Sequence, residues 1–581
     1  MDVKRKHEIE AALASEAQAV SSGRLKEDSP LDTSVAFLDF CEACRRGDLK
    51  AAQELLQAGV NVNARDQHDY TPLILASLCG HYEVIQLLLE NGALCERDTF
   101  QGERALYNAL NDRIRNLLLS YDYAKSTNPL QPLAAHVSSL LTRPEPKTAD
   151  ITITAYDQSF RLHKFLLAAR SPYFAKKLAE APNTASWKLP HAIPAEALRV
   201  ALQYLYFSEV SLRNVLHGLS DDEELVVLNG VDKIGRQLEM ERMFEDITEV
   251  SDRRLLRQKR AEELVRGRDQ LELWFRDNVL KNKMIVDTDQ VDGIRWDRDN
   301  SIFADVLLRA DDDDGAKSTI YGVHKAMLLR SEYFLTMFNS PFREAQDARY
   351  LHVVNLDCTP QVLETILTFI YTERSDFGLD IAVDVLFAAD QLFIEKLKQR
   401  AALIISSLGN GSTSTVEAEN PRGETDAEEA IDVYEIIRAG WDTRVQRLEE
   451  FCARYIAYRL EHYIDEAEFA ELVQESAKRV TARQETDTVE LIDDIRWYLS
   501  ERFRLRFEDT HFDEMMDENP KADREALADA VKDLDISDKT AGAVRTLDGE
   551  IAGDEFAQDA INYQILLGKI DALLENLGLD A

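Results

Sequence analysis

The stretch GVHKAMLLRSEYFLTMF, Gly322 to Phe338, has a diverged twin in RLHKFLLAARSPYFAKKL, Arg161 to Leu178. Each carries a His-Lys pair, His163-Lys164 or His324-Lys325. Each runs through a short apolar segment to Arg-Ser-x-Tyr-Phe, at Arg170 to Phe174 and Arg330 to Phe334. The second copy is one residue shorter between His and Ser, which predicts a local shift of its helix. Upstream, each copy has an Asp before an extended apolar run: Asp150 before Ile151 and Ile153, Asp305 before Val306 to Leu308. Downstream, PAEALRVALQYLYF matches TPQVLETILTFIYT, pairing Leu198, Leu202 and Tyr206 with Leu363, Leu367 and Tyr371. The closing helices, LVVLNGVDKIG and VLFAADQLFIEKLK, place Asp232 in register with Asp390. Short strands alternating with apolar helices predict an α+β module with a small sheet, present twice.

A shorter repeat lies ahead of these modules. RGDLKAAQELLQAGVNVNARD matches CGHYEVIQLLLENGALCERD, and Gly47–Gly80 and Gly59–Gly92 are both 33 residues apart. Gly47 and Gly80 stand where first helices end and positive φ is needed. Leu55, Leu56, Leu87 and Leu88 are apolar at helical spacing. Between the units, TPLILAS offers Thr71 as a helix cap and Pro72 for the first turn, with Ala76 small where helices approach. A third unit, RALYNALNDRIRNLLLSYD, lacks the inter-helix Gly-His. So few units are marginal for a stacked solenoid. Its ends are expected to dock on an N-terminal helix near 7–20 and on the modules C-terminal to it.

The chain of 581 residues has room for about four domains. Its composition, 45% hydrophobic and 30% charged with a net charge of −38, suits soluble globular modules. That charge argues against nucleic acid, which needs a basic face, and against anionic membrane surfaces. Six cysteines are too few for a disulfide scaffold, so a reducing compartment is expected. The N-terminal MDVKRKHEIE lacks the apolar core of a secretory signal, and no apolar run is long enough for a membrane helix. The expected compartment is the cytoplasm, with the nucleus as a second location.

The 33-residue units with TPLILA resemble the ankyrin repeat, whose pattern TPLHxA has a His that is missing here. The two longer modules resemble the BTB/POZ fold, whose hallmarks are the HKxxLxxRSxYF helix pair and the AADxLxxxxLK helix. Residues 431–509 resemble the helical extension found after BTB domains in substrate adaptors. Leu448, Phe451, Cys452, Tyr455 and Ile456 share one face there. The order of these parts resembles the ankyrin-repeat-and-BTB/POZ-domain-containing protein family. The expected fold is multidomain, mostly α with α+β modules. In chain order the parts are a helical or flexible segment at 1–33, ankyrin repeats at 34–123 and a linker at 124–148. The first BTB/POZ domain comes next at 149–250, then a charged, solvated helical connector at 251–300 and the second BTB/POZ domain at 301–408. A low-complexity linker at 409–430, the helical extension at 431–509 and an acidic tail at 510–581 complete the chain.

The resemblance implies a role. BTB adaptors that recruit the scaffold cullin-3 carry a hydrophobic-x-Glu element after the Tyr-Phe helix. Here that element is Phe342-Arg343-Glu344, with Met337 and Phe338 ending the helix, and these four named side chains (Met337, Phe338, Phe342, Glu344) are the expected cullin contacts. A loop aromatic seated in a partner groove is the kind of anchor that dominates an interface. In the first module Pro182 and Thr184 fall where Phe342 and Glu344 stand, so no cullin contact is expected there. Because BTB domains commonly dimerise, the two modules are expected to pair within the chain, favoured by high effective concentration. The expected function is a non-catalytic substrate-recognition adaptor of a cullin-3 E3 ubiquitin ligase. Its protein substrate is unidentified and is held on ankyrin loop tips near Gln67, Asp69, Tyr70, Thr99 and Phe100. The alternative is a non-ligase scaffold in a transcriptional or translational complex.

Other chemistry reads as structural. Cys41 and Cys44 form a CxxC one helical turn apart with no second pair at zinc spacing, which suits core packing. His163 and His324 have no nucleophile beside them. Asp311 to Asp314 lack the glycine and terminal Glu of a calcium loop. Arg253, Arg254, Arg257, Lys259 and Arg260 are basic but interleave with acids from Glu262 onward. No phosphate-binding or nucleophile-elbow motif occurs, so no catalytic residue, cofactor or metal is expected.

Overall fold

The computed structural model describes residues 29–95, 100–124, 130–156, 158–189, 193–210, 212–216, 220–247, 253–340, 349–408, 432–483, 490–507 and 552–579. The N-terminal helix expected near 7–20, Thr99, Phe342, Glu344 and the linker at 409–430 lie outside them. The chain divides into two compact units. One holds the repeats and both α+β modules, the other the C-terminal helices.

The repeats form α1 (Val35–Arg46), α2 (Leu49–Gln57), α3 (Pro72–Cys79), α4 (Tyr82–Glu90), α5 (Phe100–Tyr107) and α6 (Asp112–Ala124). Ser34, Asp48 and Thr71 cap α1, α2 and α3, each side-chain oxygen accepting from a backbone N–H of the first turn. Pro72 occupies the first turn of α3. Gly47 and Gly80 end α1 and α3 at φ 78° and 87°. The positive φ at Gly80 favours glycine, and a Cβ there would stand 2.5 Å from Leu110 Cδ2, pushing that exposed side chain aside. His81 Nε2 bonds to the Arg45 carbonyl at 2.9 Å, tying one unit to the previous one. Phe37, Phe40, Leu73, Ile74, Ile85 and Leu88 form the core, with Cys41 and Cys44 buried among them.

Next come α7 (Gln131–Ser139), β1 (Ile151–Ala155), β2 (Gln158–Leu162), α8 (Lys164–Arg170), α9 (Pro172–Glu180), β3 (Ser186–Lys188), α10 (Ala195–Leu205), α11 (Asp221–Gln237) and α12 (Arg253–Phe275). The second module consists of β4 (Met284–Asp287), β5 (Val306–Asp311), β6 (Lys317–Val323), α13 (Lys325–Leu328), α14 (Glu332–Asn339), β7 (Val353–Asn355), α15 (Pro360–Thr372), α16 (Ala382–Gln391) and α17 (Glu395–Leu408). The first sheet has order β2-β1-β3, with β1 antiparallel to β2 and parallel to β3. The second repeats this as β6-β5-β7 and adds β4 beside β6. Where the second copy is one residue shorter between His and Ser, α13 is shorter than α8. Leu403 of α17 completes the ankyrin core, and Arg400 bonds to Asn91 Oδ1 at 3.1 Å. The short solenoid thus docks on the end of the second module.

Three sequence expectations change. The linker at 124–148 contains a helix, α7. The connector at 251–300 is not solvated on all sides: Leu264, Leu271, Phe275 and even Glu263 are buried, because α12 is packed against α8 and α15. The closing helices align one turn away from the expected register. Ser171 Oγ donates to the Leu238 carbonyl and Ser331 Oγ to that of Leu392, at 2.7 and 2.6 Å. The position matching Asp390 is therefore Arg236, not Asp232.

The second unit comprises α18 (Val433–Thr443), α19 (Gln446–Tyr458), α20 (Ala467–Arg483), α21 (Glu490–Phe507) and α22 (Ala552–Leu577). Leu448, Phe451, Cys452 and Ile456 are buried on one face of α19, while Tyr455 is half-buried. Part of the expected acidic tail is this last helix. Its Tyr563, Leu566, Ile570 and Leu574 are buried, Tyr563 meets Phe503 at 5.3 Å, and Asp571 pairs with Arg496 at 2.7 Å. The sequence within that tail also reads as a weak apolar helix near 561–578, and the helix found there is longer, from Ala552 to Leu577.

Candidate protein-interaction surfaces

In each module the segment after the His-Lys pair is built in the same way. Asp150 Oδ1 accepts from Lys164 N at 2.8 Å and Asp305 Oδ1 from Lys325 N at 2.6 Å, each carboxyl capping the helix that starts there. The Tyr206 hydroxyl accepts from His163 N and that of Tyr371 from His324 N. His324 Nε2 lies 2.8 Å from the Ile302 carbonyl, so it carries the proton and Nδ1 accepts from the Tyr371 hydroxyl at 2.7 Å. Burial lowers the His163 imidazole to about 4 and that of His324 to about 3. Burial raises Asp150 to about 7 and Asp305 to about 6. The two histidines are buried parts of the core with every ring nitrogen engaged. Among the described residues no group of His, Cys, Asp or Glu is placed to hold a metal ion.

The Tyr-Phe helix of the second module, α14, is capped by Ser331, whose Oγ accepts from Phe334 N. Phe334 and Phe338 stack at 6.0 Å, and Lys325 Nζ lies 5.1 Å over the Phe338 ring. Phe338 is only 5% exposed and supports the helix from within. Met337 is half-buried at the helix end. One surface aromatic escaped the sequence reading. Phe393, just after Leu392, is 63% exposed and sits at φ 51°. A bulky side chain at positive φ is uncommon. The first module places Glu239 there at φ 56° and ties it to Lys176 Nζ at 2.9 and 3.0 Å. Phe387 on α16 is also exposed. The signal was hidden by the misaligned closing helices.

The first module differs at the loop as well. Pro182 gives its carbonyl to Lys164 Nζ at 2.8 Å, and Thr184 donates through N and Oγ1 to the Ala181 carbonyl. This loop is bound to its own module.

The two modules touch through the elements that begin them. Phe165 stacks on His324 at 4.2 Å, and Trp274 closes over both at 6.0 and 5.4 Å. From α7, ahead of the first module, His136 Nε2 reaches the Ala326 carbonyl of the second at 2.8 Å, while Ser138 meets Ser208 of the first at 2.6 Å. From α12, ahead of the second module, Glu263 takes a hydrogen bond from Arg170 of the first at 2.7 Å, while Phe275 stacks on Tyr371 of the second at 4.4 Å. A polar cavity of about 250 Å³ lies between the modules, lined by Asp150, Lys164, Arg298, Asp305 and Lys325 among others.

The Arg of Arg-Ser-x-Tyr-Phe shows what α12 does. In the second module Arg330 pairs with Glu373, which comes just after α15 at φ 62°. The matching residue in the first module is Ser208, with no charge to offer. Arg170 is instead neutralised by Glu263 from α12 and also reaches Gln270 at 2.6 Å. Burial pulls Arg170 below its ordinary range and the Glu263 charge opposes that.

On the repeats, Gln67 and Asp69 are exposed and Tyr70 is half-buried. Asp66 Oδ1 accepts from His68 N and Tyr70 N at 2.8 and 2.9 Å, fixing the tip. The Arg104 guanidinium lies 5.1 Å over the Tyr70 ring. Thr99 lies outside the described residues, as does the side chain of Phe100.

A BTB/POZ domain family matches residues 141–240 and 297–407, and an ankyrin-repeat family of three copies matches residues 40–128. A BTB/POZ domain-containing protein 3 of Schizosaccharomyces pombe is 38% identical over 489 residues, covering 83% of this chain and 85% of its own. The chain belongs to the ankyrin-repeat and BTB/POZ-domain protein family. A second relative, an ankyrin repeat-containing protein of Saccharomyces cerevisiae, is 33% identical over 500 residues, covering 83% of this chain and 92% of its own. Both modules are protein-interaction domains. The first BTB/POZ match begins within the stretch that the sequence reading assigned to a linker. No described helix is long and apolar enough to cross a membrane.

Proposed function

We propose that this ankyrin–BTB/POZ protein is the substrate-recognition adaptor of a cullin-3 E3 ubiquitin ligase, working in the cytoplasm and the nucleus. It makes and breaks no bonds. One surface holds the cullin, another holds a protein substrate, and effective concentration near the ubiquitin-loaded enzyme does the rest. The observation that carries the reading is the outer end of α14 in the second module. Met337 is partly open there, the sequence Phe342-Arg343-Glu344 comes next in register, and Phe393 adds an exposed aromatic on the same module. The ankyrin tip at Gln67, Asp69 and Tyr70, together with Thr99 and Phe100, is the substrate side of the proposal.

The test is co-purification of the full chain with the N-terminal domain of cullin-3, comparing wild type with Phe342→Ala/Glu344→Lys. Binding by wild type and its loss in the variant support the adaptor. A wild-type chain that never binds leaves the second reading, a non-ligase scaffold that bridges partners in a transcriptional or translational complex.

A further inference from the structure

We propose that the first module carries a binding site for a phosphorylated peptide segment of a partner protein, taken up in extended form along the edge of β2. The site does not rest on the cullin reading above.

A cavity of about 470 Å³ lies between β2 and the segment 140–149, within the size range of pockets that bury a ligand. Successive side chains of a strand point to opposite faces of its sheet, yet Ser159, Phe160, Arg161 and Leu162 all line this cavity. A cavity touched by four successive residues runs along the edge of the strand. β2 is the outer strand of its sheet. Among the described residues no backbone hydrogen bond joins 140–149 to β2. The edge therefore presents N–H and C=O groups to the cavity, and such an edge is a template for an added strand.

The second module shows what this edge accepts. There β4 runs antiparallel along β6, from Met284 opposite Ile320 to Asp287 opposite Lys317. Met284, Val286 and Trp296 pack on the small core that contains Ile320. With His163 matched to His324, Ser159 corresponds to Ile320 and Arg161 to Gly322. A Cβ at Gly322 would stand 3.2 Å from Trp296 Cη2. The second copy thus fills this place with its own strand and an indole. The first copy leaves it open and sets an arginine there.

The charge of the cavity selects the ligand. Arg143, Lys147 and Arg161 line it, and no acid does. None of the three forms an ion pair with a described residue. Arg143 Nη1 is buried with no hydrogen-bond partner, and an unmet buried donor is costly. The remaining basic group, His163, is held neutral by burial and meets Thr148 Oγ1 at 2.9 Å. In a chain of net charge −38, three unpaired cations with no acid among them call for an anion. The planar fork of arginine suits phosphoryl oxygens. A phosphoryl group, with nearly two charges and three acceptor oxygens, answers three cations better than one carboxylate does.

The experiment is biolayer interferometry of the full chain on an immobilised degenerate peptide library with phosphoserine at its centre, beside the same library with serine. The phosphoserine library should bind about tenfold tighter or more, the worth of one charge-assisted hydrogen bond. Hydrogen exchange of the Ser159 to Leu162 amides should slow in the complex. Arg143→Gln/Arg161→Gln should abolish the preference while the melting temperature holds, since Arg161 is exposed and the Arg143 side chain has no partner to lose. If that variant melts lower, Lys147→Gln, at an exposed position, should still weaken the preference. Equal binding of the two libraries overturns the inference. So does a preference that survives Arg143→Gln/Arg161→Gln, or protection that falls outside β2 and 140–149. Free phosphoserine binding as tightly as the library would place a small phosphate compound in the cavity and overturn the peptide assignment.

Discussion

Replacing Glu263 by Ala removes the counter-charge of a guanidinium that has no other acid within ion-pair reach among the described residues. Removing one partner of a buried ion pair costs about 3–5 kcal/mol. Arg170 retains Gln270 and two carbonyls, which places the loss near the lower bound, at about 3 kcal/mol. At about 1.36 kcal/mol per decade, that is roughly a 100-fold rise in the opening equilibrium of the first module. Hydrogen exchange on the full chain reads this directly. Amides of α8 and α9 should exchange roughly 100-fold faster, and those of α13 and α14 should change less, because Arg330 has Glu373 of its own. The double replacement Arg170→Met/Glu263→Leu should restore most of the protection, since swapping a buried pair for apolar groups is often neutral. A loss of less than about 1 kcal/mol on Glu263→Ala, or equal loss in both modules, would refute the idea that α12 completes the first module.

Phe393→Glu should weaken cullin-3 binding about tenfold or more, an anchor-sized loss, while leaving the melting temperature unchanged or raised, since the first module carries Glu239 at a similar φ; isothermal titration with a melt checks both. Gly80→Ala should destabilise the repeats by about 1–3 kcal/mol, because φ is positive and the new methyl meets Leu110; urea unfolding read alongside repeat-specific exchange measures it. Asp150→Asn/Asp305→Asn tests the buried carboxyls. Their folded pKa values, about 7 and 6, lie above the ordinary 3.8, so the folded chain holds more protons and these groups lose stability as pH rises from about 4 to 7. Relative to wild type the variant should therefore gain through that window and run parallel above it. The neutral imidazoles of His136, His163 and His324 act the opposite way in both proteins, losing stability as pH falls below about 6.5. Melting curves from about pH 4 to 8.5 cover the carboxyl window and the onset of the imidazole effect, and supply the comparison.

The parts that sequence reading reached are those where a local rule and the fold agree. Thr71, Pro72, Gly47 and Gly80 announce the ends of the repeat helices because each residue type satisfies a backbone need at its own position. His163 and His324 announce the α+β modules because a buried ring with two hydrogen-bonding nitrogens demands fixed neighbours, and those neighbours, Tyr206 and Tyr371, recur in register. The parts that were missed depend on distant residues. Glu263 reads as one acid in a charged helix, and only the absence of an acid at Ser208 makes it necessary. Phe393 reads as an apolar residue of a closing helix, and only the register fixed by Ser171 on Leu238 and Ser331 on Leu392 puts it on the surface. In both cases the informative fact is a difference between the two copies. Where the copies agree, the residues hold the shared fold. Where they differ, at Ser208 against Glu373, Glu239 against Phe393 and Pro182 against Phe342, one module has become a structural mate that leans on α12. The other keeps Phe393 exposed at positive φ. In the first copy Glu239 stands at that position and is tied to Lys176, and Arg170 takes its counter-charge from a helix that also packs on the second copy.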